Sequence, residues 1–165
     1  MDSNTIGYSN FLSAVTGVSI YLPNNWQKQD LEDGADEFVD FYFLPSGQEY
    51  DPQIMLKLFK LPGDELNANN YQELAVALLE EQCKNDTINA LELLEQKIIE
   101  IDNYPARIDV FNYVDAELEI PITQYQVCIQ QNYGVCGLLA MVQTEYLEQY
   151  LPIFETAAKS IRFPM

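Results

Sequence analysis

The densest set of side chains that could bind a cation is an acidic segment in the amino-terminal part of the chain. Its carboxylates are Asp30, Glu32, Asp33, Asp36 and Glu37. Hard cations take several oxygen ligands, so the segment is a candidate calcium or manganese site. The spacing does not fit an EF-hand, because Gly34 at the sixth loop position puts Leu31 where an oxygen ligand belongs. A solvated acidic loop and a weak cation site both remain open.

Side chains suited to catalysis are sparse. The chain has no histidine, which removes the commonest general base and the commonest transition-metal ligand. The three cysteines therefore have no histidine partner, and no serine lies in a nucleophile elbow. Asp109 with Glu117 or Glu119 could form an acid–base pair, although carboxylates on strand edges are usually solvated. We predict that the protein is not an enzyme and has no catalytic or cofactor-binding residue.

The cysteines do not form the framework of a disulfide-rich protein, since a chain of this length has only three. Cys128 and Cys136 are expected on one face of a hairpin, diagonally placed, a geometry that does not favour a bond between them. Cys83 lies on the apolar stripe of a predicted helix and is interpreted as a small buried hydrophobe.

Two further sets of side chains could take part in recognition. Arg107 could bind an anionic ligand, but in so acidic a chain a pair with a nearby carboxylate is the favoured interpretation. A groove for a small molecule or a partner peptide could be lined by four tyrosines, because tyrosine suits surfaces that are partly exposed to water. They are Tyr42, Tyr113, Tyr125 and Tyr133. Packing in the core is the commoner role for such residues.

The composition limits the classes of partner. The 165 residues are 48% hydrophobic, as in a folded domain, and the net charge of -18 repels nucleic acid and anionic lipid surfaces. We therefore expect a protein partner and no nucleic acid. No apolar run is long enough to span a membrane. The amino terminus has no export signal, so the sequence as it stands predicts a cytoplasmic location, or a lumenal or periplasmic one if a leader was removed.

The clearest structural pattern lies in residues 120–161. Residues 120–130 alternate between apolar and polar side chains, as in a strand with unequal faces. Residues 132–134 predict a three-residue hairpin loop that ends in Gly134. Residues 135–142 are apolar throughout, which is typical of a strand buried on both faces. A helix that packs on this sheet is predicted from the apolar stripe of Leu147, Tyr150, Leu151, Phe154, Ala157, Ala158 and Ile161.

The preceding part of the chain predicts more strands and a second helix. Strands are expected at residues 18–22, 38–44, 54–60, 91–101 and 106–114, although the pattern of residues 91–101 also fits a helix. A capped helix is expected at residues 71–84. Residues 1–16 are predicted to be a loose segment with a short helical turn at residues 11–15, and residues 17–165 a single domain.

These elements predict an α+β fold. No alternation of strand and helix runs through the chain, so the sheet is expected to be largely antiparallel. The prediction is a single-domain α/β/α sandwich with a sheet of about six to seven strands flanked by two main helices.

Three local patterns resemble the Mog1/PsbP-like family. They are the opening strand with its proline and tryptophan at residues 17–26, the Asn-Tyr-Pro-Ala-Arg sequence at residues 103–107, and the closing helix and its exit at residues 150–163. The resemblance covers residues 17–163. It implies the same α/β/α sandwich.

The resemblance also implies a function. It implies a non-enzymatic binding or assembly module, an accessory factor of photosystem II or of another membrane complex to which it would be peripheral. Two alternatives remain open: a small-molecule or cation-binding domain, and a bacterial protein with no photosynthetic role. An enzyme of the NTF2-like cone fold is disfavoured, because such folds open with a long helix and this chain opens with a strand.

Overall fold

The structure is a computed structural model that describes residues 7–12, 18–29, 39–45, 51–60, 73, 77, 80–81, 83–131 and 134–163. The described strands are β1 (Tyr8–Leu12), β2 (Ser19–Pro23), β3 (Gln27–Gln29), β4 (Val39–Phe43), β5 (Gln53–Lys60), β6 (Ile88–Ile101), β7 (Tyr104–Asp115), β8 (Ile120–Gln131) and β9 (Gly134–Gln143). A single 3-10 turn, Thr144–Tyr146, leads into the C-terminal helix, Leu147–Ser160.

Seven of these strands form one open antiparallel sheet. The strand order is β3-β4-β5-β9-β8-β7-β6, and every neighbouring pair is antiparallel. The predicted antiparallel sheet is therefore confirmed, and so is the assignment of residues 91–101 to a strand. Because the sheet is open, β3 and β6 lie at its two edges.

The C-terminal helix covers one face of this sheet, which we call the helix face. Its buried side chains are Tyr150, Ile153, Phe154, Ala157 and Ala158. They pack in one cluster with Tyr125, Val127 and Ile129 of β8 and with apolar residues of β5, β7 and β9. Each strand places alternate residues on this face, so the period-two pattern of the sequence and the helical stripe meet in one core.

The opposite face, which we call the polar face, has a smaller apolar cluster. Ile88, Phe111, Tyr113, Ile120 and Ile122 form it, with Cys83 packed against them. Of the predicted helix at residues 71–84, the described residues 73, 77, 80–81 and 83–84 are helical. The expectation of two complete helices is corrected: the described part of the chain contains one complete α-helix, Leu147–Ser160.

A two-stranded hairpin, β1 with β2, packs beside the large sheet. Phe11 and Leu12 belong to β1 and pair with β2, so the helical turn predicted for residues 11–15 is wrong at these two positions. The ring of Phe11 contacts that of Tyr42 edge to face, with centroids 5.5 Å apart. Trp26, which follows the turn after Pro23, is buried. The division of the chain at residues 16 and 17 stays a prediction.

The turn between β6 and β7 is shorter than the gap of residues 102–105 that the predicted strands leave. Ile101 pairs with Tyr104, so the turn consists of Asp102 and Asn103, with φ of 51° and 66°. Two positive φ angles in a two-residue loop are typical of a type I′ hairpin, in which Asp and Asn are favoured. The side chain of Asp102 also accepts a hydrogen bond of 2.9 Å from the backbone N–H of Phe163. Phe163 is thus held against the end of β6.

The β8–β9 hairpin is confirmed, but its register differs by one residue from the prediction. Gly134 pairs with Gln131 and so belongs to β9 rather than to the loop. Cys128 consequently pairs with Gly137, while Ile129 pairs with Cys136. Because adjacent residues of a strand point to opposite faces, the two cysteines lie on opposite faces of the sheet. The expectation that they share a face is wrong.

Candidate functional site

The predicted cation site cannot be located in this structure. Asp30, Glu32, Asp33, Asp36 and Glu37 lie outside the described residues, so a calcium or manganese site there stays a prediction. Among the residues that the structure describes, no group of three or more His, Cys, Asp or Glu side chains is arranged to hold a metal ion.

Arg107 and Asp109 form an ion pair on the polar face. The Nε of Arg107 lies 3.1 Å from Oδ1 of Asp109, and the side chains are 19% and 0% exposed. The prediction that Arg107 pairs with a nearby carboxylate is confirmed. Oδ2 of Asp109 is also buried and receives no hydrogen bond from the described part of the chain. The negative charge of this buried carboxylate is therefore balanced by the guanidinium of Arg107.

A buried polar row continues from this ion pair into β8. Asp109 pairs with Gln126 across the two strands. The side-chain amide of Gln124 donates a 2.8 Å hydrogen bond to Oε1 of Gln126, and the Tyr113 hydroxyl donates a 2.9 Å bond to Oε1 of Gln124. Gln124 and Gln126 are only 5% and 3% exposed. Two of the polar side chains that the alternation of residues 120–130 predicted, Gln124 and Gln126, are thus buried and bonded to each other.

The candidate acid–base pair is not assembled. Asp109 is buried in the middle of β7, whereas Glu117 and Glu119 are exposed in the turn between β7 and β8. Six residues of strand separate Asp109 from the end of β7, roughly 20 Å at about 3.3 Å per residue. These carboxylates cannot act on one substrate atom, and Asp109 is not the solvated edge residue that the sequence suggested.

Three of the four tyrosines proposed to line a groove, Tyr42, Tyr113 and Tyr125, are instead packing residues. Tyr42 and Tyr125 are buried in the cluster on the helix face, and Tyr113 is buried in the cluster on the polar face. Tyr133 lies outside the described residues. Burial raises the pKa of the Tyr125 hydroxyl well above its usual value, and the carboxylates of Glu155 and Glu95 add to the shift. The Tyr125 hydroxyl is therefore neutral at all physiological pH values.

The thiol of Cys128 is shielded by its burial. Its side chain is fully buried, and burial raises the pKa of the thiol far above its usual value, with smaller effects from Cys136 and Asp109 in the same direction. Because the thiolate is the reactive form, a raised pKa suppresses both nucleophilic attack and oxidation. Cys128 therefore contributes packing rather than catalysis.

This burial predicts an order of thiol labelling. At pH 8 the partly exposed Cys83 should react with a disulfide reagent at least about tenfold faster than the buried Cys128 and Cys136. Labelling followed by peptide mass spectrometry measures the three rates, and the same reaction in denaturant is the control, in which the rates should converge. Fast labelling of Cys128 in the native state would contradict the burial described here.

A cavity of about 500 Å³ lies between β2 and the end of the C-terminal helix, lined in part by Tyr21, Lys159 and Arg162. Polar side chains that line this cavity form hydrogen bonds at the end of the C-terminal helix. Ser160 accepts a hydrogen bond from the backbone N–H of Tyr21, and Arg162 donates to the carbonyl oxygens of Lys159 and Ile161. Cations and donors at a helix C-terminus stabilise its free carbonyl groups. This cavity is thus accounted for by helix capping.

The remaining feature is an exposed surface on the edge strand β6. The exposed apolar side chains are Leu93, Leu94 and Ile98, the last of them 78% exposed. Glu92, Glu95, Lys97 and Glu100 are charged neighbours on the same strand. We call these seven residues the β6 surface. Sequence analysis missed it as a site, because a strand pattern does not show that a strand lies at an edge.

The β6 surface adjoins the ion pair of the polar face. Ile98 lies opposite Arg107, and Gln96 opposite Asp109, in the register of β6 with β7. Gln96, Lys97, Ile98 and Arg107 line a shallow cavity of about 260 Å³. The exposed side chain of Ile98 thus lies beside a largely buried charge pair.

No family model matches the sequence, and no curated protein matches it. Similar solved structures do exist. The cyanobacterial PsbP protein CyanoP from Synechocystis sp. PCC 6803 has a TM-score of 0.72 at 10% identity, over 98% of this chain and 95% of that one. LpqN of Mycobacterium tuberculosis, involved in cell envelope biogenesis, has a TM-score of 0.68 at 13% identity, over 98% and 93%.

The Ran-binding protein Mog1p of Saccharomyces cerevisiae is also similar, with a TM-score of 0.64 at 10% identity over 96% of both chains. These structures cover nearly the whole chain at identities at which only the fold can be compared. The helix-covered antiparallel sheet described above and the resemblance in the sequence lead to the same result. The chain has the Mog1/PsbP-like fold.

Proposed function

We propose that the protein is a non-catalytic binding module that docks a protein partner through the β6 surface. The observation that carries the proposal is the exposure of apolar side chains on an unpaired edge. β6 is 14 residues long, and β7 is its only neighbour among the described strands of the sheet. Long edges with exposed apolar residues are interaction sites unless they are shielded.

The energetic argument concerns Ile98. Burying an isoleucine side chain fully is worth about 1.5–3 kcal/mol, and Ile98 is 78% exposed in the free chain. Leu93 and Leu94, each almost half exposed, extend the same surface. A partner that covers these three side chains gains a hydrophobic centre with a rim of charged residues, the usual arrangement of a protein interface.

The state of two candidate reactive groups, Asp109 and Cys128, supports a non-catalytic role. Asp109 is held by Arg107 in a buried pair, and Cys128 is protected by its burial and raised pKa. Proteins of the same fold provide further support, since Mog1p is a Ran-binding protein and LpqN is involved in cell envelope biogenesis. These functions belong to those proteins, and they agree with a module that acts through its partners.

The narrower form of the proposal is an accessory factor in the assembly of a membrane complex, with photosystem II as the case suggested by the likeness to CyanoP. No helix in the described part of the chain has the length and apolarity needed to cross a bilayer. The protein would then be peripheral to such a complex. Cross-linking in membranes, followed by mass spectrometry of peptides cross-linked to Lys97, identifies the complex and tests this narrower form.

The test of the general proposal compares two variants of similar design. In Ile98→Arg a charge replaces the most exposed apolar residue of β6; in Leu118→Arg the same change falls on an exposed leucine in the turn before β8. Quantitative affinity capture from cells of the source organism is expected to lose its specific partner with Ile98→Arg, with at least about a tenfold decrease, and to keep it with Leu118→Arg.

Circular dichroism of both variants checks that they remain folded, as expected for substitutions at exposed positions. Equal capture of every protein by wild type and both variants contradicts a docking role for β6. The alternative function, cation binding, predicts instead a saturable calcium titration that is lost in the double variant Asp33→Asn/Asp36→Asn. Such a result would replace the proposal.

A further inference from the structure

We propose that β6 binds an extended, basic segment of the partner as an additional strand of the sheet, along residues 95–101. This inference rests on the proposed function and specifies the chemistry of the partner. It follows from three properties of β6, which are its regular register, its exposed side chains on both faces and its charge.

The regular part of β6 is its second half. The register with β7 shifts between Asn89 and Glu92 and again between Leu93 and Glu95. From Glu95, opposite Val110, to Ile101, opposite Tyr104, the pairing is unbroken. Bulges protect the first half against strand addition, whereas a straight edge presents alternating N–H and C=O groups to an incoming strand. No other described backbone group is bonded to this edge.

The side chains of this stretch define what an added strand must contain. Ile98, which lies opposite Arg107 on the polar face, is highly exposed, and Ile99 on the helix face is partly buried. An added strand gains from apolar residues facing these two positions, because directly opposed apolar pairs stabilise a sheet. The backbone of β6 therefore supplies the hydrogen bonds to an added strand, and the side chains of Ile98 and Ile99 supply apolar contact that raises its affinity.

The charges on β6 favour a basic segment of the partner over an acidic one. Glu95 and Glu100 carry negative charge on opposite faces of the strand, and Lys97 lies 3.5 Å from Glu95 in an exposed ion pair. The chain as a whole has a net charge of -18. Basic residues facing Glu95 and Glu100 are attracted both locally and at long range, whereas acidic residues are repelled.

The same charge argues against a second copy of this chain as the occupant. Each copy brings the same net charge of -18, so two copies that approach each other through β6 repel one another at long range. A basic segment of a different protein is therefore the favoured occupant.

The end of the chain offers a direct way to test this. Phe163 is bonded to Asp102 and its ring contacts Tyr104, at centroids 5.3 Å apart, so the last described residue lies beside the end of β6. The probe is the peptide Thr-Lys-Val-Val-Thr-Thr-Lys, fused to the carboxyl terminus of the full chain through a flexible Gly/Ser linker of about ten residues. Running antiparallel to β6, it places lysines opposite Glu100 and Glu95 and valines opposite Ile99 and Ile98.

The tether raises the local peptide concentration to the millimolar range, so that even a weak strand pairing is populated. Hydrogen exchange followed by NMR is expected to slow by about tenfold at alternate amides of β6 between Glu95 and Ile101, because only alternate N–H groups point to the added strand. The matched control fusion, Thr-Glu-Val-Val-Thr-Thr-Glu, is expected to give no such protection.

A charge exchange completes the test. In the variant Glu95→Lys/Glu100→Lys the preference should reverse, so that the glutamate fusion protects β6 and the lysine fusion does not. The control variant Glu117→Lys/Glu145→Lys changes two exposed glutamates outside β6 and should behave as wild type.

Three outcomes would overturn the inference: no protection of β6 by the lysine fusion, equal protection by both fusions, or protection of β6 in the unfused chain that rises with protein concentration. The last outcome identifies a second copy as the occupant. The result is separable from the test of the proposed function, because loss of capture in Ile98→Arg can occur without strand addition. In that case β6 docks a partner through its side chains alone.

Discussion

Replacing Phe154 by alanine is expected to lower the free energy of unfolding by about 3–5 kcal/mol, the usual range for removing a buried phenylalanine. Phe154 is fully buried at the centre of the helix face, and its ring lies 6.3 Å from that of Tyr125. The cavity left by its removal cannot be filled by the strands below, because their hydrogen-bonded ladder limits relaxation of the core.

Urea unfolding followed by fluorescence and circular dichroism measures this loss. The matched control is Thr156→Ala, a change at an exposed position of the same helix, with an expected effect of less than about 0.5 kcal/mol. Equal effects of the two substitutions would show that the C-terminal helix does not cover the sheet as described. A change in the m-value of Phe154→Ala alone would indicate a loss of two-state unfolding instead.

The second large effect concerns the ion pair of the polar face. Asp109→Ala is expected to cost about 3–5 kcal/mol, because it breaks the buried ion pair that the Asp109 carboxylate forms with the guanidinium of Arg107. The double variant Arg107→Met/Asp109→Leu should recover most of this loss, since apolar residues of similar volume can replace a buried pair.

The exposed ion pair on the neighbouring strand is the control. Glu95 and Lys97 have the same two-residue spacing as the buried pair, but their side chains are 53% and 41% exposed. Glu95→Ala should therefore cost no more than about 1 kcal/mol. A double-mutant cycle on each pair gives the two coupling energies. A coupling between Arg107 and Asp109 no larger than that of the exposed pair would refute the role assigned to burial.

Strands could be predicted from the sequence where the pattern that indicates them lies within a few consecutive residues. The alternation in β8 and the apolar run in β9 require only a period of two, and the C-terminal helix requires only its apolar stripe. The resemblance of short patterns to the Mog1/PsbP-like family led to the same fold as the solved structures. Errors remained at turns, as at Gly134 and Tyr104, which the sequence placed in connections and the structure places in strands.

The candidate site was predicted only in part. The Arg107 ion pair was expected, but the burial of Asp109, Gln124 and Gln126 was not. The alternation of apolar and polar residues in β8 showed that its two faces differ. It did not show burial of the polar face, because a solvated polar face produces the same pattern. The docking surface escaped prediction for a related reason: Leu93, Leu94 and Ile98 resemble ordinary strand residues until the neighbours of β6 are known.

The amino-acid sequence by itself determined the class of fold, the hairpin of β8 and β9 and the helix that covers it, because side-chain periodicity is encoded residue by residue along the chain. Tertiary structure alone decided which polar residues are buried and which strand is left at the edge. Those properties depend on strand order and on what covers each face, and both are set by contacts between residues distant in the sequence.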